Sequence, residues 1–380
     1  MMSAIDAQPQ SPRAGVASGT GAVSRAARLP SLTAARFPAA LAVFVFHAAL
    51  PQAPFLGGSP EIADPLWRVA EHIGAAGVSF FFLLSGFVIA WSVRPDDTAA
   101  GFWRRRFVKI LPVYWVCGVV ALLVSPGAAH LLPGYLLMTQ AWSPDPAVYF
   151  GLDAPGWSLC VEALFYVLFP LAARAIVGRP PRRVVLAVAG LALLVIVGTV
   201  LLAQLLPIGE PMAHDSSVRS VQYWLLYVLP VGRLPEFVLG ICAAIAVRDG
   251  WFRPASRALP AVVLVLAYIG ALFLPALWSQ KAVIVLPCLW LIAALAAHDA
   301  RGPRGDGSPW WRRLGEWSFA FYLIHQPVLV LLSGAARSSG PGESLLLLAV
   351  AALTSAASAA ALYYGLERPL MRRWATGRAR

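Results

Sequence analysis

The first residue that could do chemistry is His47, in the apolar stretch FPAALAVFVFHAAL (37–50), with Arg36 as the single charge just before it. An ionisable side chain inside a bilayer is costly unless it faces protein or a water-filled cavity, so it is a functional candidate by default. Imidazole titrates near neutral pH and suits general-base work. The eleven-residue step from Arg36 covers about 16 Å of helix, which predicts the arginine at one membrane face and His47 near the midplane. Glu162, in WSLCVEALFYVLFP (157–170), is the second intramembrane ionisable. A carboxylate accepting one ring N–H would fix the tautomer of His47 and leave the other nitrogen free as base. A hydrogen bond from the imidazole to a backbone carbonyl, or a Glu162–Arg233 ion pair, is the structural alternative. Trp157 and Ser158 mark the outer end of that segment.

A basic cluster follows in FWRRRFVKILPVYW (102–115), where Arg106 and Lys109 lie three apart and share a helical face. Such a pair suits a phosphate-rich ligand at the inner membrane face, although positive-inside topology alone also explains it. Pro112 predicts a kink there. Arg233 and Glu236, in GRLPEFVLG (232–240), stand at i and i+3 and can pair with each other. Tyr322 and His325, in WSFAFYLIHQP (317–327), add a second midspan histidine. Ser85-Gly86, in GVSFFFLLSGFVI (77–89), reads as a small pair for close helix packing rather than a nucleophile. Cys117, Cys160, Cys242 and Cys288 lack paired spacing, which predicts neither a disulfide framework nor a metal site.

These residues must be carried on membrane helices. Hydrophobic residues make up 59% of the 380, charged residues 13%, and the mean hydropathy is +0.70. Apolar runs near 37–53, 75–93, 107–125, 157–176, 184–206, 222–247, 258–277, 281–298, 315–333 and 345–366 predict an all-α bundle of about ten transmembrane helices. With both termini cytosolic, 25 of the 30 Lys and Arg fall on inner segments. Arg68, Arg219, Lys281 and Arg337 fall outside, and Arg233 within a span. The net charge of +12 is thereby topological and implies no nucleic acid. The chain divides into a disordered tail (1–31), a membrane domain (32–370) and a basic tail (371–380). No signal peptide is evident, and residues 130–142 of the long outer connection predict a short interfacial helix. No internal repeat supports an inverted-repeat transporter.

Taken in order, these segments resemble the acyltransferase 3 family of integral membrane acyltransferases. Arg36 and His47 match its arginine and histidine separated by ten residues, and 77–89 its FF-x-LSGF stretch. Residues 102–114 match its basic R-x-x-R-I-x-P stretch, and 157–170 its WSL-x-x-E-x-x-FY element. Residues 233–240, 314–325 and the E-x-P at 367–369 complete the series. Two departures stand out. Lys109 replaces a usual arginine, which keeps charge but loses bidentate geometry, and Thr33 replaces a common aspartate at the start of the first helix.

The resemblance implies transfer of an acyl group, often acetyl, from acyl-CoA to a hydroxyl of a carbohydrate or related acceptor, in a multi-pass protein of a bacterial-type plasma membrane. Acyl-CoA would be a co-substrate, with no permanently bound cofactor and no fused SGNH-type domain. On that expectation Arg36, Arg106 and Lys109 hold the coenzyme phosphates while His47, oriented by Glu162, takes the acceptor proton. Acylation of His47 itself is the covalent variant. A proton-coupled transporter using the same His and Glu is the rival from another class.

Overall fold

The computed structural model describes residues 29–50, 55–56, 59–212, 217–301, 309–336 and 339–375. Of the predicted tails (1–31 and 371–380), residues 1–28 and 376–380 lie outside the described residues, whereas Pro30 and Ser31 open the first helix and Met371–Ala375 are helical. Helices account for the architecture: α1 (Pro30–Ala49), α2 (Pro60–Ala70), α3 (Ile73–Ser92), α4 (Ala99–Val124), α5 (Trp157–Val177) and α6 (Arg182–Leu205) come first. Then follow α7 (Leu234–Arg248), α8 (Ala258–Ala271), α9 (Val285–Arg301), α10 (Pro309–Ala336) and α11 (Pro341–Leu362). Among the described residues, nine helices are long and apolar enough to cross a membrane, and α8 is a shorter apolar one. The connection predicted to lie outside forms several short helical turns between Pro126 and Gly156 instead of one interfacial helix.

The path of the chain fixes what α8 does. At one end of the bundle the Lys281 ammonium donates to the Gly232 carbonyl (2.8 Å), and at the other Arg301 donates to the Phe252 carbonyl (3.1 Å). Helices α7 and α9 therefore run parallel, and the chain from 253 to 280 must travel back along the bundle. The fourteen residues of α8 cover about 21 Å of that return.

The core of the site is the parallel pair α1 and α10. Gly315 sits where any Cβ would lie 1.9 Å from the Thr33 carbonyl oxygen, which brings the two backbones together near their starts. Ten residues further along α10, His325 faces His47. Helix α1 starts on a proline, whose missing N–H costs nothing at that position. Its next residue is clasped by Asp299 of α9: the Ser31 N–H donates to Oδ2 (2.8 Å) and the Ser31 hydroxyl to Oδ1 (2.6 Å). The carboxylate absent at Thr33 thus arrives from another helix. Helices α3 and α7 make the closest contact of the bundle's far side. A Cβ on Gly86 would meet the Phe237 carbonyl oxygen at 2.0 Å, and one on Gly240 the Leu83 oxygen at 2.1 Å. The Ser85-Gly86 expectation of close packing holds, through the glycine.

One helix boundary is corrected. Helix α1 begins and ends earlier than the predicted 37–53, so His47 lies two residues from its end and not at its middle. Arg36 is correspondingly about a turn and a half inside the helix, half-buried, and on the wall of the cavity described below.

Candidate active site

Arg36, Ser85, Arg106, Lys109, Ser158, Glu162 and Tyr322 all line one cavity of about 320 Å³, enclosed by α1, α3, α4, α5 and α10. Its wall on α3 extends from Val78 to Ser92, about 21 Å at the helical rise. The remaining lining is largely apolar, contributed by Leu32, Phe81, Phe82, Ile89, Ile110 and Phe319 among others. The cavity is thus mostly apolar along its length, with charged side chains gathered toward the Ser92 end.

The charged end is built from three elements. Arg106, one turn before Lys109, donates to the Ser92 hydroxyl (3.5 Å) and lies over the Phe102 and Tyr166 rings at 5.4 and 6.0 Å. Lys109 has Arg36, Glu367, Arg106 and Glu162 within electrostatic reach. Glu162 accepts a hydrogen bond from the Tyr166 hydroxyl (2.6 Å), one helical turn along α5. Among the described residues no carboxylate comes within 4.0 Å of Arg36, Arg106 or Lys109. Three cations thus face a cavity without direct ion pairing, which is the electrostatics of an anion site. Midway along the tube, the buried Ser85 hydroxyl makes no well-formed hydrogen bond and lies beside Tyr166.

At the other end the Tyr322 and Ser158 hydroxyls bond to each other (2.8 Å), and Ser158 also lies 2.9 Å from the Pro155 carbonyl. Since Ser158 has one proton, its donation to Pro155 makes Tyr322 the donor within the pair. Trp157, 4% exposed, packs edge-on to Phe82 and tilts against Tyr227. It belongs to the packing that holds α5, not to the cavity wall.

His47 meets His325, not Glu162: Nδ1 of His47 lies 3.0 Å from Nε2 of His325. The expected His47–Glu162 pair is therefore replaced, because Glu162 points to the cationic end while α10 places its own histidine beside α1. The Glu162–Arg233 alternative is also excluded. Arg233 sits 3.0 Å from Glu236 through Nε and Oε2, an ion pair not aligned as a hydrogen bond, and both residues are fully buried. Ser79 ties the pair to α3 by accepting from Arg233 and donating to Glu236, each at 3.1 Å.

The partners select a tautomer for the histidines. Nδ1 of His325 lies 3.2 Å from the Phe321 carbonyl, which can only accept. A proton on Nδ1 leaves Nε2 of His325 as acceptor, so His47 donates from Nδ1 and keeps its own Nε2 lone pair. The arrangement is carbonyl, His325, His47, free nitrogen. It orients a neutral base in the way a carboxylate would have done. The two rings lie outside the cavity wall. Tyr322, whose ring centroid is 6.1 Å from that of His325, stands between.

Sequence reasoning missed Asp153 and Glu367. Asp153, 2% exposed, accepts from the Tyr135 hydroxyl (3.0 Å) under the outer connection, and burial pushes its carboxyl up to about 8. A lone aspartate four residues before Trp157 in an apolar loop was the available signal. Glu367 was visible only as a letter of the terminal E-x-P. The four cysteines are buried and free, and no metal-binding cluster occurs among the described residues.

The fold and site define a bundle of apolar helices with a cavity that is basic at one end and bordered by Tyr322, which packs against a buried histidine pair. The comparison with known proteins makes the class definite: the family model described as "Acyltransferase domain" matches residues 29–364, and the chain belongs to the acyltransferase 3 family. It is 39% identical over 316 residues to "Acyltransferase MdmB" of Streptomyces mycarofaciens, covering 80% of each chain. It is 31% identical to "Exopolysaccharide production protein ExoZ" of Rhizobium meliloti (strain 1021), over 81% of this chain and 92% of that one. A shorter match, 30% identical over 26% of this chain and 19% of the other, is to "Peptidoglycan O-acetyltransferase OatA" of Listeria monocytogenes. No solved structure matches. The protein is an acyltransferase with multiple apolar membrane helices.

Proposed function

We propose that the protein transfers an acyl group, acetyl in the simplest case, from cytosolic acyl-CoA to a hydroxyl of a carbohydrate or related acceptor. The relatives named for exopolysaccharide production and for peptidoglycan O-acetylation support a carbohydrate-type acceptor. The start of α1 and the Tyr363–Glu367 segment, at the cationic end of the cavity, then lie on the cytosolic side of a bacterial-type plasma membrane. The observation that carries the reading is the convergence of Arg36, Arg106 and Lys109, without direct ion pairs, on one end of a tube that runs toward Tyr322 and the histidine pair.

In this scheme the three cations take the coenzyme phosphates, and the pantetheine arm lies along the apolar tube past Ser85. The thioester carbonyl reaches the Tyr322–Ser158 end. His47 Nε2 removes the acceptor's hydroxyl proton, the oxygen attacks the thioester carbon, the C–S bond breaks, and the proton passes to the departing coenzyme thiolate. The Tyr322 ring must move, or the acceptor must reach past it, for base and carbonyl to meet. His325 holds His47 in the correct tautomer, and Glu162 belongs to the donor end.

The test uses purified protein in nanodiscs with acetyl-CoA and a panel of acceptors: polysaccharide fragments, a lipid-linked sugar and a glycosylated small molecule. His47→Ala should lose about 10²–10⁴-fold in transfer rate while remaining folded. Full activity in that variant would end the scheme. Proton-coupled transport, the rival, requires solute flux into proteoliposomes without release of free coenzyme thiol. The covalent variant requires a labelled His47 peptide after rapid quenching with acyl-CoA alone.

A further inference from the structure

We infer that Glu367, near the end of the described chain, is a positioning residue for the donor site: the counter-charge that keeps Lys109 as an ammonium beside the cavity. Three observations meet here. The segment Tyr363–Glu367 is a wide helical turn that follows α11 and packs on α4, the helix bearing Arg106 and Lys109. Such a turn inserts an extra residue and rotates the side chains after it, a device common at functional sites. Here Tyr364 and Arg368 are exposed while Glu367 is only 5% exposed. Its Oε2 is buried without a hydrogen-bond partner, and Lys109 and Arg36 are the cations within its electrostatic reach.

The charge balance explains why a carboxylate belongs there. Lys109 faces Arg36 from α1 and Arg106 from its own helix, two like charges, against Glu162 from α5 and Glu367. A compact ammonium in a dry site beside two guanidinium groups needs a counter-charge, whereas the delocalised cation of arginine depends on one far less. Glu162 is already engaged by the Tyr166 hydroxyl. Glu367 is therefore the carboxylate free to compensate Lys109 until an anionic donor arrives.

The inference rests on the reading of Arg36, Arg106 and Lys109 as the donor site, and the experiment separates the two. Donor KM and kcat are measured in nanodiscs at pH 8 for Lys109→Met, Glu367→Gln, Lys109→Arg and the double variant Lys109→Arg/Glu367→Gln. Lys109→Met should raise donor KM, and Glu367→Gln should raise it about tenfold with kcat within about twofold. The double variant should return KM to near the wild-type value, because a guanidinium needs no help to stay charged. A merely structural glutamate would leave the double variant as impaired as Glu367→Gln, and that result overturns the inference. A lysine effect without a glutamate effect overturns it while sparing the donor site; no effect at either residue overturns both. If the glutamine variant folds poorly, Glu367→Asp is compared with Glu367→Asn, which differ in charge and not in size. Equal donor KM values in that pair also overturn the proposal.

Discussion

At the scale of single residues, the structure gives the two members of the predicted catalytic pair, His47 and Glu162, different partners. His325 is bonded to His47, and Glu162 to Tyr166 at the cationic end. Their substitutions should therefore fail differently. His325→Ala leaves His47 free to turn and should lower kcat about 10–10²-fold with donor KM little changed; Glu162→Gln should act mainly on donor KM. Steady-state kinetics against acyl-CoA distinguishes them, and a KM effect at His325 would contradict the assignment. That His47 needed a partner was legible, because a buried ionisable group rarely stands alone. Which partner was not legible: His47 and His325 are 278 positions apart, and only the register of α1 on α10 makes them meet. Asp153 adds a pH prediction. Its carboxyl is held at about 8 by burial, far above the ordinary 3.8, so the folded protein keeps a proton there that the unfolded chain releases. The unfolded state binds fewer protons across that window, so stability falls as pH rises from about 4 to about 8. Thermal midpoints of the wild type should drop from pH 5 to pH 8, and Asp153→Asn should flatten that dependence. An unchanged slope in the variant would assign the pH effect elsewhere.

At the scale of elements, α1 is the helix on which both ends of the proposed chemistry depend, since it carries Arg36 and His47. Its apolar stretch was plain in the sequence, but its start was placed several residues late. Hydropathy marks the lipid-facing part of a helix, and the first turns here are held by polar groups instead. Asp299 supplies the capping carboxylate across 268 positions. Removing it as Asp299→Ala should cost about 0.5–2 kcal/mol, the scale of an N-cap, and shift the melting temperature in detergent downward. Thr33→Asp restores a carboxylate within the first turns of the same helix, where the dipole favours it, and should recover part of the loss. No recovery would mean that Asp299 acts by tying α9 to α1 and not by capping. The α3–α7 contact shows the opposite case on one side: Gly86 was legible as a packing residue, while its counterpart Gly240 emerges from the structure, each within about 2 Å of a facing carbonyl for any added Cβ. Small residues in apolar runs point to helix contacts whatever the long-range fold.

At the scale of the whole molecule, the question is how many times the chain crosses. Basic-residue placement favours ten passes, and nine helices among the described residues meet the length and hydropathy of a span. The fourteen residues of α8 are short for a hydrocarbon layer of about 30 Å. Yet the Lys281–Gly232 and Arg301–Phe252 contacts hold α7 and α9 parallel, so the chain between them has to cross to begin α9 at the correct end. Lys281, counted as an outer charge, is in fact 2% exposed and bonded to backbone, which a tally of charges by loop could not reveal. The parity also places the start of α1 and Glu367 at the same end of the bundle, where a cytosolic donor would need both. Cysteine labelling decides the matter, since Cys117, Cys160, Cys242 and Cys288 are buried and give a low background. Ser256→Cys and Pro275→Cys flank α8 at exposed positions. On intact cells an impermeant maleimide should label Pro275→Cys and spare Ser256→Cys until the membrane is opened. Labelling of both from one side would make α8 a re-entrant helix. It would put the start of α1 and Glu367 on opposite faces, and so separate the Glu367 carboxylate from Arg36 and Lys109.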